Sequence, residues 1–355
     1  MTGSLDDSGS APGASGRVLV TGATGFLGAN VARLLLERGV EVRALVRAFS
    51  PRTNVDGLPI ELVEGDLRDA EAVRRAVRGC RRVFHVAADY RFWARDPREL
   101  YASNVEGTVH VMEACLAEGV ERVVYTSTVG TIGLAAAPAP CDEHTPLVAG
   151  QLTSHYKRSK LEAERAALSY VARGLPVVVV NPSAPVGAWD VKPTPTGRIL
   201  LDFALGKLPA FVDTGLNVVH ARDVAEGHLL AAARGRVGER YILGHRNMTL
   251  AEILAEAGAI LGRPAPRLRL PYAAALAVGA LDTALSRLTH RPPTVALEAV
   301  RMSRRRMFFD AGKAVRELGL PQTPVRRAFE DAIAWFAERG YLAGAGQGRT
   351  AWASR

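Results

Sequence analysis

A glycine-rich turn joins a short β-branched run to a helical pattern near the start of the chain. Residues 17–21 suit a strand, residues 27–38 carry apolar side chains at helical spacing, and Gly22, Gly25 and Gly28 lie in the turn. Gly22 and Gly25 allow a tight turn and close approach of a phosphate group, while Gly28 lets the helix pack near its strand. The free N–H groups that begin such a helix attract an anion. The spacing therefore favours a dinucleotide-binding loop over an ordinary glycine-rich turn.

Strand and helix patterns alternate through the first half of the chain. The apolar runs predict strands over residues 17–21, 40–46, 60–64, 82–86, 122–126 and 177–180. The helical patterns fall at residues 27–38, 70–77, 99–118 and 154–173. This alternation predicts an α/β fold, a Rossmann-type doubly wound parallel sheet with helices on both faces.

The second half of the chain predicts a smaller, mostly helical lobe. Four prolines between residues 182 and 195 predict a loop-rich segment that runs to about residue 215. Residues 218–220 and 240–243 look like a return to the sheet, with a short helix from Asp223 between them. Helical patterns follow at residues 249–262, 271–288, 294–302 and 323–340.

These patterns divide the chain into two lobes and two tails. We predict a dinucleotide-binding domain at residues 17–185 plus 217–245, and a substrate-binding lobe at residues 186–216 plus 246–344. The lobe is expected to pack over the carboxyl edge of the sheet, where such folds bind ligands. Residues 1–16 and 345–355 are small or polar without periodicity and are predicted to be disordered tails.

Composition excludes several classes of protein. No tract of the 355 residues approaches the roughly 20 apolar residues that span a bilayer. Cys80, Cys115 and Cys141 are too scattered for a disulfide framework or a zinc site, so we expect a cytoplasmic protein without a metal. The pattern at residues 273–288 leaves peripheral membrane contact open, although a core helix is favoured. The net charge of +9 comes with no recognised nucleic-acid module, so no nucleic-acid partner is predicted.

The end of the second predicted strand indicates which dinucleotide the loop would hold. In NAD-binding folds an acidic residue about 20 positions past the glycines accepts hydrogen bonds from the adenosine ribose. Here the strand ends in Arg47 without a carboxylate. Because a guanidinium pairs well with a 2′-phosphate, Arg47 favours NADP(H) over NAD(H). A surface arginine in an arginine-rich chain is the alternative.

Tyr156 and Lys160 stand four residues apart in a helical pattern and so share a face. Only five of the 45 basic residues are lysines, which makes this one worth attention. A neighbouring ammonium lowers the pKa of a phenol, which could then exchange a proton with a carbonyl or carbinol oxygen. Thr126, Ser127 and Thr128 end the preceding strand, and a hydroxyl there could hold that oxygen. An exposed helical pair and an ordinary turn are the structural alternatives.

Together these motifs resemble the extended short-chain dehydrogenase/reductase superfamily, also called the NAD-dependent epimerase/dehydratase superfamily. The resemblance covers about residues 17–340 and is carried by residues 21–28, 66–67, 85–88, 104–108, 126–128, 156–160 and 181–183. More narrowly, residues 85–90, 155–160, 181–187, 191–199, 211–220 and 304–310 resemble the hopanoid-associated sugar epimerase subfamily. The chain is more distantly similar to dihydroflavonol reductases.

The resemblance implies a role for each matching residue. Thr128, Tyr156 and Lys160 match the catalytic positions, with Tyr156 as the proton donor or acceptor. Tyr90, Trp93 and Asn181 are expected to contact the substrate. The positions expected to contact the cofactor are Gly22, Thr24, Gly25, Phe26, Leu27, Gly28, Arg47, Asp66, Leu67, Val86, Ala87, Ala88, Asn104, Thr126, Pro182 and Ser183.

The expected activity is hydride transfer between a nicotinamide and a carbonyl or carbinol carbon of a sugar or polyol, free or linked to a hopanoid lipid. Residues 301–307 lack the Arg-x-Gly-Asp element common in sugar-nucleotide epimerases, which speaks against a UDP-sugar substrate. An NADPH-dependent ketone or aldehyde reductase like the dihydroflavonol reductases is one alternative. A non-catalytic NADP(H)-binding redox sensor is another, which the intact pair of Tyr156 and Lys160 disfavours. Pairing of residues 99–118 and 153–173 across a two-fold axis leaves a homodimer open.

Overall fold

The computed structural model of the chain describes residues 16–91, 96–134, 140–289 and 297–343. Its strands are β1 (Val18–Thr21), β2 (Val42–Val46), β3 (Ile60–Glu64), β4 (Arg82–His85), β5 (Arg122–Thr126), β6 (Val177–Pro182), β7 (Ala184–Val186), β8 (Ala210–Val212), β9 (Gly215–His220), β10 (Arg240–Leu243), β11 (Arg246–Thr249) and β12 (Leu268–Leu270). Its helices are α1 (Phe26–Glu37), α2 (Ala70–Val77), α3 (Arg98–Tyr101), α4 (Gly107–Ala117), α5 (His155–Ser169), α6 (Pro195–Ala204), α7 (Ala221–Arg234), α8 (Leu250–Leu261), α9 (Tyr272–Thr289), α10 (Leu297–Met302), α11 (Gly312–Leu318) and α12 (Val325–Glu338). Of the predicted regions, residues 1–15, 294–296 and 344–355 lie outside the described residues.

Seven strands pair in parallel in the order β10-β6-β5-β4-β1-β2-β3. The chain moves from β1 outward to β3 and then returns to build the other half from β4, so the strand order reverses between β1 and β4. Open α/β sheets bind ligands outside the carboxyl ends of the strands at such a reversal. The predicted Rossmann-type doubly wound sheet is confirmed.

Both faces of this sheet are buried, because successive residues of a strand point to opposite sides. Val20 and Phe84 belong to one apolar cluster, together with residues of α1 and α7. Their neighbours Leu19 and Val83 belong to another, together with residues of α2, α4 and α5. This packing explains why the strands appear in the sequence as continuous apolar runs rather than as alternating patterns.

A third apolar cluster forms the core of the C-terminal lobe. It includes Phe203 of α6, Leu254 of α8 and Phe329 of α12. These helices pack beside a three-stranded sheet in the order β11-β9-β7, and β8 pairs with β12 in a separate two-stranded sheet. The lobe is thus mixed in structure, with more helix than strand.

The prediction of a loop-rich segment between residues 182 and 215 is wrong, because this segment contains β7, α6 and β8. Thr194 caps α6 by accepting a hydrogen bond of 3.2 Å from the Gly197 N–H. Pro195 is the first helical residue, where the missing N–H of proline costs no hydrogen bond and its fixed φ suits the helix. Proline therefore begins a helix here instead of preventing one.

Two further elements differ from the sequence prediction. Residues 218–220 do not return to the main sheet, because β9 pairs with β7 and β11. The predicted helix at residues 99–118 is interrupted by a π-helical stretch, Ala102–Glu106, between α3 and α4. Such a stretch shifts the helix by one backbone position and frequently marks a functional site.

Candidate active site

The glycine turn brings the start of α1 close to the ends of β1 and β4. Gly22 has a φ of +76°, and a Cβ there would lie 2.8 Å from the Cα of Ala87. A Cβ on Gly28 would lie 2.1 Å from the carbonyl oxygen of Gly22, so this position has room only for glycine. Gly25 precedes α1 without a side-chain cap, which leaves the first N–H groups of the helix available to an anion. These residues fit a dinucleotide pyrophosphate.

Arg47 follows β2 on the surface beside this turn. Its Nε donates to Ser50 Oγ at 3.4 Å, and no described carboxylate lies within ion-pair distance of its guanidinium. Asp66, after β3, accepts hydrogen bonds from the backbone N–H and guanidinium of Arg68, and this interaction lowers the pKa of Asp66. The charge of Arg47 lowers that pKa further, so Arg47 lies close enough to Asp66 for their charges to interact. The cation at the end of β2 is therefore available to an anionic group.

A chain of buried hydrogen bonds supports the ends of β1 and β4. The Ala87 N–H donates to Thr21 Oγ1 at 3.2 Å, and Thr21 Oγ1 lies 2.8 Å from His85 Nδ1. His85 Nε2 lies 3.1 Å from Thr108 Oγ1, which donates to the Asn104 carbonyl at 2.6 Å. Burial lowers the pKa of His85 to about 3, so its ring is neutral. His85 is thus a buried packing residue at the end of β4.

Asn104, which lies in the π-helical stretch, fixes the loop after β4. Its Oδ1 accepts the Asp89 N–H at 2.7 Å, and its Nδ2 donates to the Asp89 carbonyl and to Ser159 Oγ. The loop that contains Val86 and Ala88 is thereby held against α5. Asn104 is itself 2% exposed, so its contribution to a cofactor site is to position this loop.

Tyr156 and Thr128 meet where β5 ends and α5 begins. Ser154 caps α5 by accepting the Lys157 N–H at 3.2 Å, which sets Tyr156 in the first turn. The Thr128 side chain hydrogen-bonds to the Tyr156 phenol and also accepts the Gly130 N–H at 3.1 Å. Tyr156 and Thr128 are both partly exposed. The predicted hydroxyl and phenol are therefore brought together.

Lys160 is 2% exposed and lies one turn further along α5. Its ammonium donates to Tyr125 Oη at 2.9 Å and to the Thr126 carbonyl at 2.8 Å. Burial lowers the pKa of Lys160 to about 7, and the negative charge of Glu164 partly opposes that shift. Lys160 can therefore gain or lose a proton near neutral pH.

The expectation that Lys160 lowers the pKa of Tyr156 is wrong in this structure. Desolvation raises the pKa of Tyr156 to about 12, although the hydrogen bond from Thr128 opposes it. Asp89 and Tyr90 raise it further by charge repulsion. A phenol with this pKa is protonated at neutral pH and is suited to donate a proton.

Glu164, which none of the sequence motifs predicted as a site residue, is 2% exposed and lies one turn after Lys160. Its carboxylate accepts hydrogen bonds from Ser127, from Thr131 at 2.8 Å and from Asn181 Nδ2 at 3.1 Å. Arg240 pairs with its other oxygen at 3.2 Å. The signal for this residue was present, because positions 156, 160 and 164 continue one helical face.

Four predicted contacts are turned toward the protein interior. Asn181 is fully buried and donates to the Thr128 carbonyl at 3.0 Å, which suits a supporting role instead of substrate contact. Thr126 Oγ1 bonds to His228 Nε2 at 2.9 Å, so only the carbonyl of Thr126 faces Lys160. Pro182 is buried in β6, and Ser183 Oγ donates to the Leu243 carbonyl at 3.3 Å. These residues support the cleft more than they line it.

Two predicted contacts, Leu67 and Tyr90, form hydrogen bonds with other residues of the protein. Leu67 presents its carbonyl to His110 Nδ1 at 2.8 Å, which leaves its side chain against the sheet core. Tyr90 is 43% exposed, and its Oη donates to the Lys192 carbonyl at 3.4 Å. Tyr90 thus links the loop after β4 to the C-terminal lobe. Trp93 lies outside the described residues.

This geometry can bind a dinucleotide over the glycine turn and transfer a proton at the Tyr156 oxygen. Among the residues that the structure describes, no group of three His, Cys, Asp or Glu side chains is arranged to hold a metal ion. The fold and the site define a class, the nicotinamide-dependent oxidoreductases built on a Rossmann-type sheet.

Comparison with known proteins identifies the family. Residues 18–244 match the NAD dependent epimerase/dehydratase family, and the chain belongs to it. It is 46% identical to a putative dihydroflavonol 4-reductase of Synechocystis over 91% of this chain and 95% of that protein. It is 40% identical to sterol demethylase protein B of Methylococcus capsulatus over 91% and 99%, respectively. It is 33% identical to a ketoreductase of Stigmatella aurantiaca that acts on a farnesyl-dihydroquinoline-1-oxide, over 85% and 91%.

Solved structures agree with this assignment. The structure of gox2253 is 46% identical, with a TM-score of 0.81 over 91% of this chain and 98% of that one. A nucleoside-diphosphate-sugar epimerase from Pseudomonas aeruginosa is 28% identical, with a TM-score of 0.74 over 92% and 99%. The chain is thus an NAD(P)-dependent enzyme of the epimerase/dehydratase family and an extended short-chain dehydrogenase/reductase.

Proposed function

We propose that this enzyme is an NADP(H)-dependent reductase that converts a ketone or aldehyde into the corresponding carbinol. Its substrate is free of a nucleotide group and carries the carbonyl on an apolar skeleton. The observation that carries the proposal is the hydrogen bond between the Tyr156 phenol and the Thr128 side chain, at the carboxyl ends of the parallel strands. A protonated phenol is the acid that a carbonyl oxygen requires as it gains negative charge.

Thr128, Tyr156 and Lys160 each have a role in transferring a proton to the substrate. A bound nicotinamide supplies the hydride that the carbonyl carbon receives. Thr128 would donate a hydrogen bond to the carbonyl oxygen, and the Tyr156 phenol would give that oxygen its proton. Lys160, with its pKa lowered to about 7, can help to return a proton to Tyr156 near neutral pH. NADPH, one proton and the ketone become NADP⁺ and the carbinol.

Arg47 supports the choice of NADP(H). The Arg47 guanidinium at the end of β2, with no described carboxylate within ion-pair distance, suits a 2′-phosphate, whereas NAD-binding folds place a carboxylate there. An enzyme that oxidises its cofactor in each turnover uses NADPH from the cell, while an epimerase regenerates its cofactor and needs no net reductant. The cation at Arg47 therefore supports net reduction.

The names of relatives support the same substrate class. A putative dihydroflavonol 4-reductase and a farnesyl-quinoline ketoreductase both suggest ketones on apolar rings. The missing Arg-x-Gly-Asp element at residues 301–307 speaks against a sugar nucleotide.

Epimerisation of a sugar or polyol, free or carried on a hopanoid lipid, is the second candidate. The family description and the Pseudomonas aeruginosa structure favour it. The two candidates differ in whether cofactor is consumed, because epimerisation returns the cofactor to its starting state.

The test supplies the purified enzyme with NADPH and a panel of cyclic ketones, aldehydes and sugars. We expect loss of NADPH in proportion to carbinol formed. Tyr156→Phe should lower turnover by at least about 10²-fold, because it removes the acid, while NADPH binding by calorimetry is retained. An isomerised product without net NADPH loss would support epimerisation, and undiminished turnover by Tyr156→Phe would refute both candidates.

A further inference from the structure

Helix α9 exposes an apolar face along its whole length. The described side chains that are exposed between Ala273 and Leu288 are alanine, valine or leucine. Val278 is 54% exposed, Leu281 66%, and Leu285 57%. Since the larger ones recur at intervals of three and four residues, they form one stripe along a helix of 18 residues, about 27 Å long.

The opposite side of α9 is packed against the lobe. Val300 of α10 lies near Gly279, where a Cβ would be 3.1 Å from the valine Cγ2. The Leu297 N–H donates to Thr283 Oγ1 at 3.1 Å, and Ser286 is 3% exposed. One side of α9 thus packs against α10, and the stripe of exposed valine and leucine lies on the other side.

Strand β12 extends this apolar surface and adds positive charge to it. Leu268 and Leu270 are 61% and 39% exposed, and they alternate with the exposed Arg267 and Arg269. Among the ion pairs of the described residues, none includes Arg267 or Arg269. Successive side chains of a strand point to opposite faces, so the two leucines share one face of this segment and the two arginines the other. The long arginine side chains can extend their charge toward lipid phosphates while the leucines enter the acyl region.

A second run of arginines lies at the same end of α9. Arg306 pairs with Asp213 at 3.3 Å, and Asp213 directly follows β8. β8 pairs with β12, so residues 304–306 lie near the point where β12 leads into α9. Arg304 and Arg305 are exposed there. The apolar stripe therefore has a cationic end.

We propose that the stripe of α9, with Leu268 and Leu270, is a docking surface for a membrane that contains anionic lipids. The helix would lie parallel to the membrane plane, with its leucines among the acyl chains and the arginines on the phosphates. Such attachment combines burial of apolar area with attraction to negative headgroups. No helix among the described residues is long and apolar enough to cross a bilayer, so the contact is peripheral.

The docking surface adjoins the candidate active site through α10. Burial lowers the pKa of Lys157, which follows Tyr156 in α5, and the charge of Glu298 in α10 partly opposes that shift, so the α9–α10 pair approaches the helix of the proton donor. A membrane on the outer side of this pair would bring the cleft close to apolar compounds dissolved in the bilayer. Docking itself does not depend on the proposed function.

The test measures sedimentation of the full-length enzyme with sucrose-loaded vesicles, in the absence of cofactor and substrate. We expect binding to vesicles of phosphatidylcholine mixed with phosphatidylglycerol, weaker binding to phosphatidylcholine alone, and release by salt. Leu281→Gln combined with Leu285→Gln should weaken binding at least about tenfold. Arg267→Gln combined with Arg269→Gln should remove most of the preference for phosphatidylglycerol, again about tenfold.

A matched pair of substitutions controls for the loss of exposed apolar area. Val237 and Val315 are 45% and 38% exposed on other parts of the surface, and Val237→Gln with Val315→Gln should leave vesicle binding unchanged. Circular dichroism and NADPH binding report whether each variant is folded. Absence of binding to both vesicles, or equal binding by the leucine variant, would overturn the proposal. Ultracentrifugation that shows a dimer lost only in the leucine variant, without vesicle binding, would assign the face to a second copy of the chain.

Discussion

The ammonium of Lys160 donates a hydrogen bond of 2.9 Å to the phenol oxygen of Tyr125. Tyr125 is fully buried in β5, and the lysine also lies over its ring, 4.6 Å from the centroid. Together with the Thr126 carbonyl, this phenol fixes the ammonium at the end of the strand. The position of Lys160 in the cleft is therefore set by the strand beneath it, and its protonation is set by burial and by Glu164.

Glu164→Gln should shift the pH dependence of turnover. The carboxylate raises the pKa of Lys160 against the effect of burial, so its neutralisation lowers that pKa below about 7. If protonated Lys160 is the active form, the alkaline limb of kcat moves to lower pH, by about 1 unit. Turnover between pH 5 and 9, measured with saturating NADPH, reports the shift.

The exposed Glu162 on the same helix provides the control for this prediction. Glu162→Gln removes the same charge from the surface and should leave the limb in place. Thermal unfolding of both variants separates the pH effect from lost stability. An unshifted limb in folded Glu164→Gln would show that the carboxylate acts on structure alone.

Arg47→Asp should reverse the preference between the two nicotinamide cofactors. The substitution removes the cation that would pair with the 2′-phosphate and places a carboxylate where NAD-binding folds use one. We expect the Kd for NADPH to rise at least about tenfold and that for NADH to change little or fall. Arg75→Gln, at an exposed position of α2, is the matched control and should leave both values unchanged. Equal loss for both cofactors would exclude a specific 2′-phosphate contact.

Gly28→Ala should prevent cofactor binding and destabilise the fold. The added methyl group would lie 2.1 Å from the Gly22 carbonyl oxygen, so α1 must move away from the turn. Overpacking of this kind costs about 1–3 kcal/mol of unfolding free energy. Urea unfolding and NADPH titration measure the two effects. Gly150→Ala, where no atom lies within 4 Å of the new Cβ, should change neither.

The sequence was sufficient where the signal is local. Gly22 and Gly28 are recognisable because a positive φ and a close helix approach exclude every other residue, and the buried strands appear as apolar runs because both sheet faces are covered. Pro195 was misjudged for a related reason. Proline blocks the interior of a helix but suits its first turn, and the sequence pattern alone did not distinguish these positions.

The parts of the site that escaped prediction depend on contacts between distant segments. Asn181 donates to a carbonyl 53 positions earlier, and the Thr126 hydroxyl bonds to His228, 102 positions later. Only the folded sheet brings these groups together. The pKa of Tyr156 was also misjudged, because four-residue spacing gives the shared helix face but not the burial that raises the pKa of the phenol.

Acid should destabilise the protein through two buried histidines. Burial lowers the pKa of His85 to about 3 and that of His228 to about 4, against 6.5 for an exposed histidine. Since the unfolded chain binds more protons than the folded one between these values and 6.5, unfolding free energy falls as pH decreases through this window. For His228, the difference between a pKa of about 4 in the folded chain and 6.5 in the unfolded chain corresponds to about 3 kcal/mol. His228→Gln should therefore reduce the difference in urea stability between pH 7 and pH 4, whereas His144→Gln, at an exposed position, should leave that difference unchanged. If His228→Gln loses as much stability on acidification as the wild type, the buried imidazole does not govern acid sensitivity, and the paired carboxylates do.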